Sequence, residues 1–297
     1  LLFFIQQPTS SFERELKELF PTVELRKDRT VLAGKEIDLY APEFKIGLEF
    51  NGNYWHSGAQ KSPSYHKNKS IVASSKGVFL FHIFEYEWMI PEQKQRLIQH
   101  IKRLFKLDNA QVIQASECEL RQVSYTNSYM FLEQNSIQGH DSAHICYGLY
   151  YNNELVYLMT FAPASDLHPG TFTLSRYCHK FGVFVSGGAE RVFSYFCTQH
   201  RPKAVVATSD IAKSKGTVFS ALGFKHIYTQ KQDFKWTDGN TTLKRSQAKK
   251  PNLIKLGMAT ENDPRGEAEI LRDNGYYRIY DCGKKVWKWC DTSTEMI

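Results

Sequence analysis

Apolar positions recur with helical or strand periods along most of the chain. Phe12, Leu16, Leu19 and Phe20 share one face of a short helix expected over 12–20, with Ser11 as its cap and Pro21 helping to end it. A strand is expected near 23–26. It is followed by a hairpin with arms 35–40 and 45–51, turning at Ala41-Pro42-Glu43-Phe44. The segment 65–76 is predicted to be a helix closed by Gly77. Residues 78–84 are almost continuously apolar, as in a central strand covered on both faces. Pro91 opens a helix to about Phe105, with Leu97, Ile98, Ile101, Leu104 and Phe105 inward and Lys94, Arg96, Lys102 and Arg103 outward.

A second unit begins near Gln114. Strands near 144–151 and 154–161 flank Asn152-Asn153, the signature of a tight hairpin. A strand over 171–178 leads to Ser186-Gly187-Gly188 and a helix over 189–198. A strand over 203–208, a helix over 213–222 ended by Gly223, and a strand near 226–234 complete the pattern. The remainder reads as a basic linker, a helical stretch over 266–274 and an aromatic tail with Trp287 and Trp289. The expected segmentation is therefore 1–112, 113–236 and 237–297.

A chain of 297 residues supports two domains at roughly 150 residues each, and its 14% aromatic content can fill two cores, which excludes global disorder. No apolar run approaches the ~18 residues of a membrane span. The opening Leu1-Leu2-Phe3-Phe4-Ile5 is too short for a signal peptide and lacks basic residues; without Met, it is expected to follow upstream segments. Net charge is +7, a mild preference for polyanions. Between Lys225 and Lys255 eight Lys or Arg residues face two acids, a surface for phosphates or an ordinary solvated loop. Cys118, Cys146, Cys178, Cys197, Cys282 and Cys290 form no C-x-x-C pair. Buried thiols in a reducing cytoplasm are expected, with no disulfide.

The hairpin supplies candidate chemistry. With Pro42–Lys45 as the loop, paired positions sum to 87 and Asp38 lies opposite Glu49. Facing carboxylates repel at the ~5 Å between paired Cβ atoms, and a divalent cation with oxygen ligands, Mg2+ or Mn2+, would relieve that repulsion. Just past the second strand, His56 is suited to take a proton from a bound water. His66 and Lys69, spaced i and i+3, share one helix face, and Lys69 could steady charge on a phosphate. Taken singly, Glu13 reads as a solvated helix position and Asp38 as a surface residue; the joint arrangement carries the argument.

Ser10-x-x-Glu13-x-x-Leu16-x-x-Leu19, Glu36-Ile37-Asp38-Leu39-Tyr40, Glu49-Phe50-Asn51-Gly52 and Trp55-His56 together resemble the PD-(D/E)XK nuclease superfamily. They are closest to its very-short-patch-repair branch, which includes phage homing endonucleases with an E-D-x-H-D pattern. The similarity spans about Ser10 to Trp88. It implies a mixed sheet flanked by helices, with Asp38 and Glu49 binding the metal, His56 as base or water-positioning residue, and Glu13 supporting the site. His66 and Lys69 occupy positions where relatives carry an acid and a base. Asn51 replaces the lysine of the E-x-K pattern, so that role passes to Lys69 or His56. Trp55 is either a base-stacking residue or a core aromatic.

Val185-Ser186-Gly187-Gly188-Ala189-Glu190-Arg191 is either a phosphate cradle or a tight turn. With Thr208-Ser209-Asp210 and Ala221-Leu222-Gly223-Phe224 it resembles the α+β GNAT acyltransferase fold, and phage Mom-type DNA-modification enzymes are similar; the likeness covers about Tyr125 to Trp236. If acyl-CoA binds, Gly187, Gly188 and Arg191 are expected at its pyrophosphate, with His179 and Asp210 as candidate bases. The resemblances imply an α/β chain acting as a Mg2+-dependent DNA endonuclease, a hydrolase of homing type in a host cytoplasm. Its partner would be double-stranded DNA, bound partly through Lys244, Arg245, Lys249 and Lys250. The alternatives are a DNA-modifying acyltransferase with a degenerate nuclease domain, told apart by acetyl-CoA binding without cleavage, and a non-catalytic DNA-binding protein.

Overall fold

Helix α1 spans Pro8–Leu19 and so begins earlier than the Ser11 cap signal suggested. A proline suits a first helical turn, where its missing N–H has no partner to lose. The computed structural model describes residues 8–164 and 168–291; the Leu1–Ile5 opening lies outside them, and so does the Ser10 side chain. Phe12 packs against Phe50 at 4.4 Å between ring centroids and against Trp88 at 5.0 Å.

Strand β1 is Arg26–Leu32, later than the expected 23–26. Its polar sequence has little strand signal; pairing with β2, Lys35–Ala41, fixes it, helped by Arg29 and Lys27 on Glu36 at 2.8 and 3.3 Å. Strand β3, Ile46–Asn51, pairs with β2 as Leu39↔Leu48, Tyr40↔Gly47 and Ala41↔Ile46, the register that sums to 87. A side chain at Gly47 would come within 2.8 Å of Leu80 and 2.9 Å of Ile37, so this position is kept bare by packing. Helix α2, Tyr65–Ser75, crosses to β4, Phe79–Phe84, which runs parallel to β3.

Strand β4 is buried along its length yet stands at the edge of the sheet β1-β2-β3-β4, not at its centre. Its outer edge is covered by segment 210–213: the His82 amide donates to the Ala212 carbonyl at 3.0 Å, and the Lys213 ammonium donates to the His82 carbonyl at 2.6 Å. A covered edge therefore gives the same apolar run as a central strand. Helices α3, Glu85–Trp88, and α4, Pro91–Leu104, follow.

The next elements are β5, Gln111–Gln114; β6, Glu119–Gln122; α5, Tyr125–Asn135; β7, Ile145–Tyr151; β8, Glu154–Pro163; and β9, Thr171–His179. Asn152 and Asn153 both have positive φ, 50° and 63°, as the two-residue turn between β7 and β8 requires. Then come β10, Val183–Ser186; α6, Gly188–His200; β11, Ala204–Asp210; the short α7, Thr217–Ala221; and β12, Lys225–Thr229. The stretch expected as a linker instead holds β13, Phe234–Thr237; β14, Thr242–Leu243; α8, Lys250–Lys255; α9, Glu267–Asp273; and β15, Tyr277–Tyr280. The aromatic tail is β16, Lys284–Cys290.

Two compact units result, and they interleave along the chain. Unit 1 comprises the described residues up to Lys94 with Asp210–Lys213 and Lys231–Gly283; unit 2 comprises Gln95–Ser209, Ser214–Gln230 and the described residues from Lys284. Contacts therefore divide the chain differently from the three consecutive segments expected, because β16 returns to a sheet begun far upstream. Unit 2 carries a seven-stranded sheet in the order β12-β16-β11-β9-β8-β7-β6, with β10 and β5 as a separate parallel pair. The architecture is mixed α/β. All six cysteines are free thiols. Among the described residues no helix is long and apolar enough to cross a membrane.

Candidate functional site

The β2–β3 register brings Asp38 and Glu49 to adjacent positions, and α2 lays Lys69 over them. Asp38 is 9% exposed and Glu49 1%. Asp38 Oδ2 accepts the Phe50 amide at 2.7 Å, Glu49 Oε1 is ion-paired to the Lys69 ammonium, and Glu49 Oε2 is buried without a hydrogen-bond partner among the described residues. Two carboxyl groups and one ammonium leave one negative charge in excess in a dry site. Burial is the main cause lifting Asp38 to about 6. Burial, then the Asp38 charge, lifts Glu49 to about 8.

Both candidate imidazoles are nearby and neutral. His56 and His66 stack with centroids 5.2 Å apart and planes 12° from parallel. Burial drives the pKa of His56 well below its ordinary value and that of His66 down to about 4. Glu13 is held by Lys27 at 3.0 Å. Trp55 is 46% exposed and packs edge-on against Tyr54, so the core-aromatic alternative is set aside. The sequence did not single out His82, although a lone histidine in an apolar strand was its visible signal. Its Nδ1 meets Asn51 Nδ2 at 3.2 Å and its Nε2 meets Ser70 Oγ at 2.8 Å, so Asn51 serves a buried network rather than standing in for a lysine.

Lys69 occupies one oxygen of Glu49, so the pair as it stands offers a divalent cation fewer open oxygens than two unpaired carboxylates would. Among the described residues no group of three or more His, Cys, Asp or Glu is placed to hold a metal ion.

In unit 2 the parallel strands β9 and β11 pair only from Thr171↔Ala204 to Leu174↔Ala207. Beyond those positions the pairing ends, and among the described residues Ser175–His179 have no ladder partner on that side. Helix α6 starts on Gly187, whose φ of +73° is left-handed and whose lack of a side chain leaves the first helical N–H groups without a side-chain cap. A side chain at Gly188 would touch Val185 at 3.2 Å and the Tyr157 ring at 3.4 Å. Tyr157 is fully buried and its hydroxyl has no hydrogen-bond partner among the described residues. Arg191 donates to the Ala115 carbonyl, and the exposed Glu190 also stands in the first turn. His179 is no base: the Val185 amide donates to its Nδ1 at 3.1 Å, and burial presses its pKa down to about 3. Asp210 Oδ1 accepts the Ala212 amide at 2.9 Å.

The four basic candidates are folded into unit 1. Arg245 lies 3.4 Å from Asp233, Lys249 3.7 Å from Glu267, and Lys250 donates to the Asp263 carbonyl, while Lys244 is exposed.

No family model and no curated protein matches the chain. Solved structures similar to it include a Bacillus subtilis acetyltransferase in complex with CoA (12% identity, 59% of this chain and 99% of that one, TM-score 0.36). An IAA acetyltransferase from Bacillus cereus is also similar (7%, 59% and 99%, 0.35). So is the ribosomal-protein-S18-alanine N-acetyltransferase of Escherichia coli (8%, 38% and 81%, 0.32). The expectation of a Mg2+-dependent DNA endonuclease, a hydrolase of PD-(D/E)XK homing type, is corrected: these structures are transferases. Of the two carboxylates, Glu49 is engaged by Lys69 and Asp38 by the Phe50 amide, and no third His, Cys, Asp or Glu joins them among the described residues.

Proposed function

We propose that the chain is an acyl-CoA-dependent N-acyltransferase of the GNAT and Mom type that modifies DNA, with unit 2 binding the acyl donor and unit 1 a nuclease-like scaffold without hydrolytic activity. The early end of the β9–β11 pairing, together with the glycine-started α6, carries this reading. Main-chain donors and acceptors on a strand edge need partners, and a ligand with amides along its length can supply them as an added strand would. The N–H groups of Gly188 and Ala189 then face the phosphate end of such a ligand, favoured by the helix dipole and opposed in part by Glu190. An amide-bearing arm that ends in a pyrophosphate is the chemistry of coenzyme A.

In the transfer, an exocyclic amine of a DNA base attacks the thioester carbonyl. The C–N bond forms, the C–S bond breaks, and the amine proton leaves with the thiolate or to water. The chain's part is to hold the acyl arm along the β9 edge and to offer strand N–H groups to the developing oxyanion. Lys244, Arg245, Lys249 and Lys250 are proposed to add affinity for double-stranded DNA through phosphate contacts.

Calorimetric titration with acetyl-CoA tests the reading. Saturable binding is expected for the wild type and at least tenfold weaker binding for Gly188→Val, with an unchanged near-ultraviolet circular dichroism spectrum. Absence of heat at millimolar acetyl-CoA, or identical binding by the variant, would overturn it.

A further inference from the structure

We propose that unit 1 carries a second site, distinct from the Asp38–Glu49 cluster and independent of acyl transfer, that takes one unstacked nucleotide of a single-stranded nucleic acid. A cavity of about 240 Å³ opens between the loop after His56 and the β13–β15 sheet, walled by Trp236, Tyr277 and Tyr280. Lys61, Arg272 and Arg278 line the same cavity, and no acidic residue does. None of these three cations is ion-paired among the described residues.

Arg278 is the best-held of them. Its guanidinium lies 4.5 Å from the Phe234 ring centroid and 4.8 Å from that of Trp236. Its backbone pairs with Trp236 on one side and accepts the Gly58 amide at 2.6 Å on the other. A side chain at Gly58 would meet the Arg278 carbonyl at 3.3 Å, so a bare residue there permits the approach. The Arg278 Nε is buried with no hydrogen-bond partner among the described residues. A stacked guanidinium keeps its edge donors aimed in a fixed fork, the geometry that suits phosphate oxygens. Lys61, 4.7 Å over the Tyr65 ring, and the exposed Arg272 add two further charges to the lining.

Three uncompensated cations in a concave, aromatic-walled recess select an anion that also has a flat apolar face. A nucleotide has both, because every base can stack on an aromatic ring while its phosphate meets the cations. In a duplex those base faces are hidden by stacking, so a recess of this kind reaches a base only in single-stranded or splayed chains. DNA and RNA share this chemistry, and the test separates them.

Fluorescence anisotropy with labelled dT12 and rU12 oligonucleotides on the full chain decides the matter. Binding of one or both is expected, with Lys61→Ala/Arg272→Ala at least tenfold weaker and with a log–log salt slope shallower by about 1.4, two phosphates at about 0.7 each. Tyr277→Ala, a change at a 40% exposed side chain, is expected to weaken binding about fivefold or more through lost stacking. Acetyl-CoA titration of the same variants should be unchanged, which separates this site from the acyl-donor site. Failure of both oligonucleotides to bind overturns the proposal. So does unchanged affinity in the variants, and so does an equal loss of affinity for a 12-base-pair duplex.

Discussion

Asp38, Glu49 and Lys69 form a buried cluster of charge in unit 1. A carboxyl group with its folded pKa raised, as for Asp38 at about 6, binds its proton more tightly folded than unfolded. Stability from that group is therefore fully present below its unfolded value and is lost as pH rises towards 6 and beyond. The lowered values of His56 and His66 act in the opposite sense over much of that window, so the effect is isolated by substitution. Asp38→Asn keeps an acceptor for the Phe50 amide and is expected to gain on the wild type from pH 4 to pH 7, by roughly 1–3 kcal/mol. Urea denaturation at several pH values measures this, and a constant difference would contradict the argument. The facing of Asp38 and Glu49 was legible in the sequence because hairpin register follows from loop length. The capture of Glu49 by Lys69 was not, since it joins residues 20 positions apart through the packing of α2 on the sheet. That one contact changes the chemistry available to the pair.

At the scale of elements, β4 depends on what covers its edge. The Lys213 ammonium, 6% exposed, bridges the His82 carbonyl and the Glu87 carboxylate, each at 2.6 Å. Lys213→Met leaves both acceptors without that donor and is expected to cost about 2–3 kcal/mol. A lowered urea midpoint and faster amide exchange in β4 would register it; unchanged exchange would show that the edge is held otherwise. Elements with a strong local signal matched expectation: the Asn152-Asn153 turn, the helix ended by Gly77 and the strand over 171–178. The failures share a cause. Strand β1 is polar and exists through its pairing with β2. Helix α7 is shorter than its pattern because Gly216, at φ +78°, starts it late. The glycine turn before α6 was visible, but the early end of the β9–β11 pairing is a property of two strands together.

The whole molecule is built from two units threaded through one another in sequence. A chain stopped after Gln230 would deprive unit 1 of β13–β15 and unit 2 of β16, which stands between β12 and β11. Unit 2 would then expose the unpaired edges of β11 and β12, and unit 1 would lose the packing of Ile279 and Cys282 on Phe84. Such a truncation is expected to aggregate, as size-exclusion chromatography would show, whereas a soluble monomer with full circular dichroism would mean that the return segment is dispensable.

The sequence by itself determined the mixed α/β class, the hairpin register and the glycine turn before α6, all of which follow from periodicity or turn chemistry. Only the tertiary structure decided that Lys69 neutralises Glu49, that β4 is a covered edge, and that 231–283 folds with the first unit to shape an aromatic, cationic recess. Each of these joins segments distant along the chain, and their energy comes from burial and pairing that no local window contains.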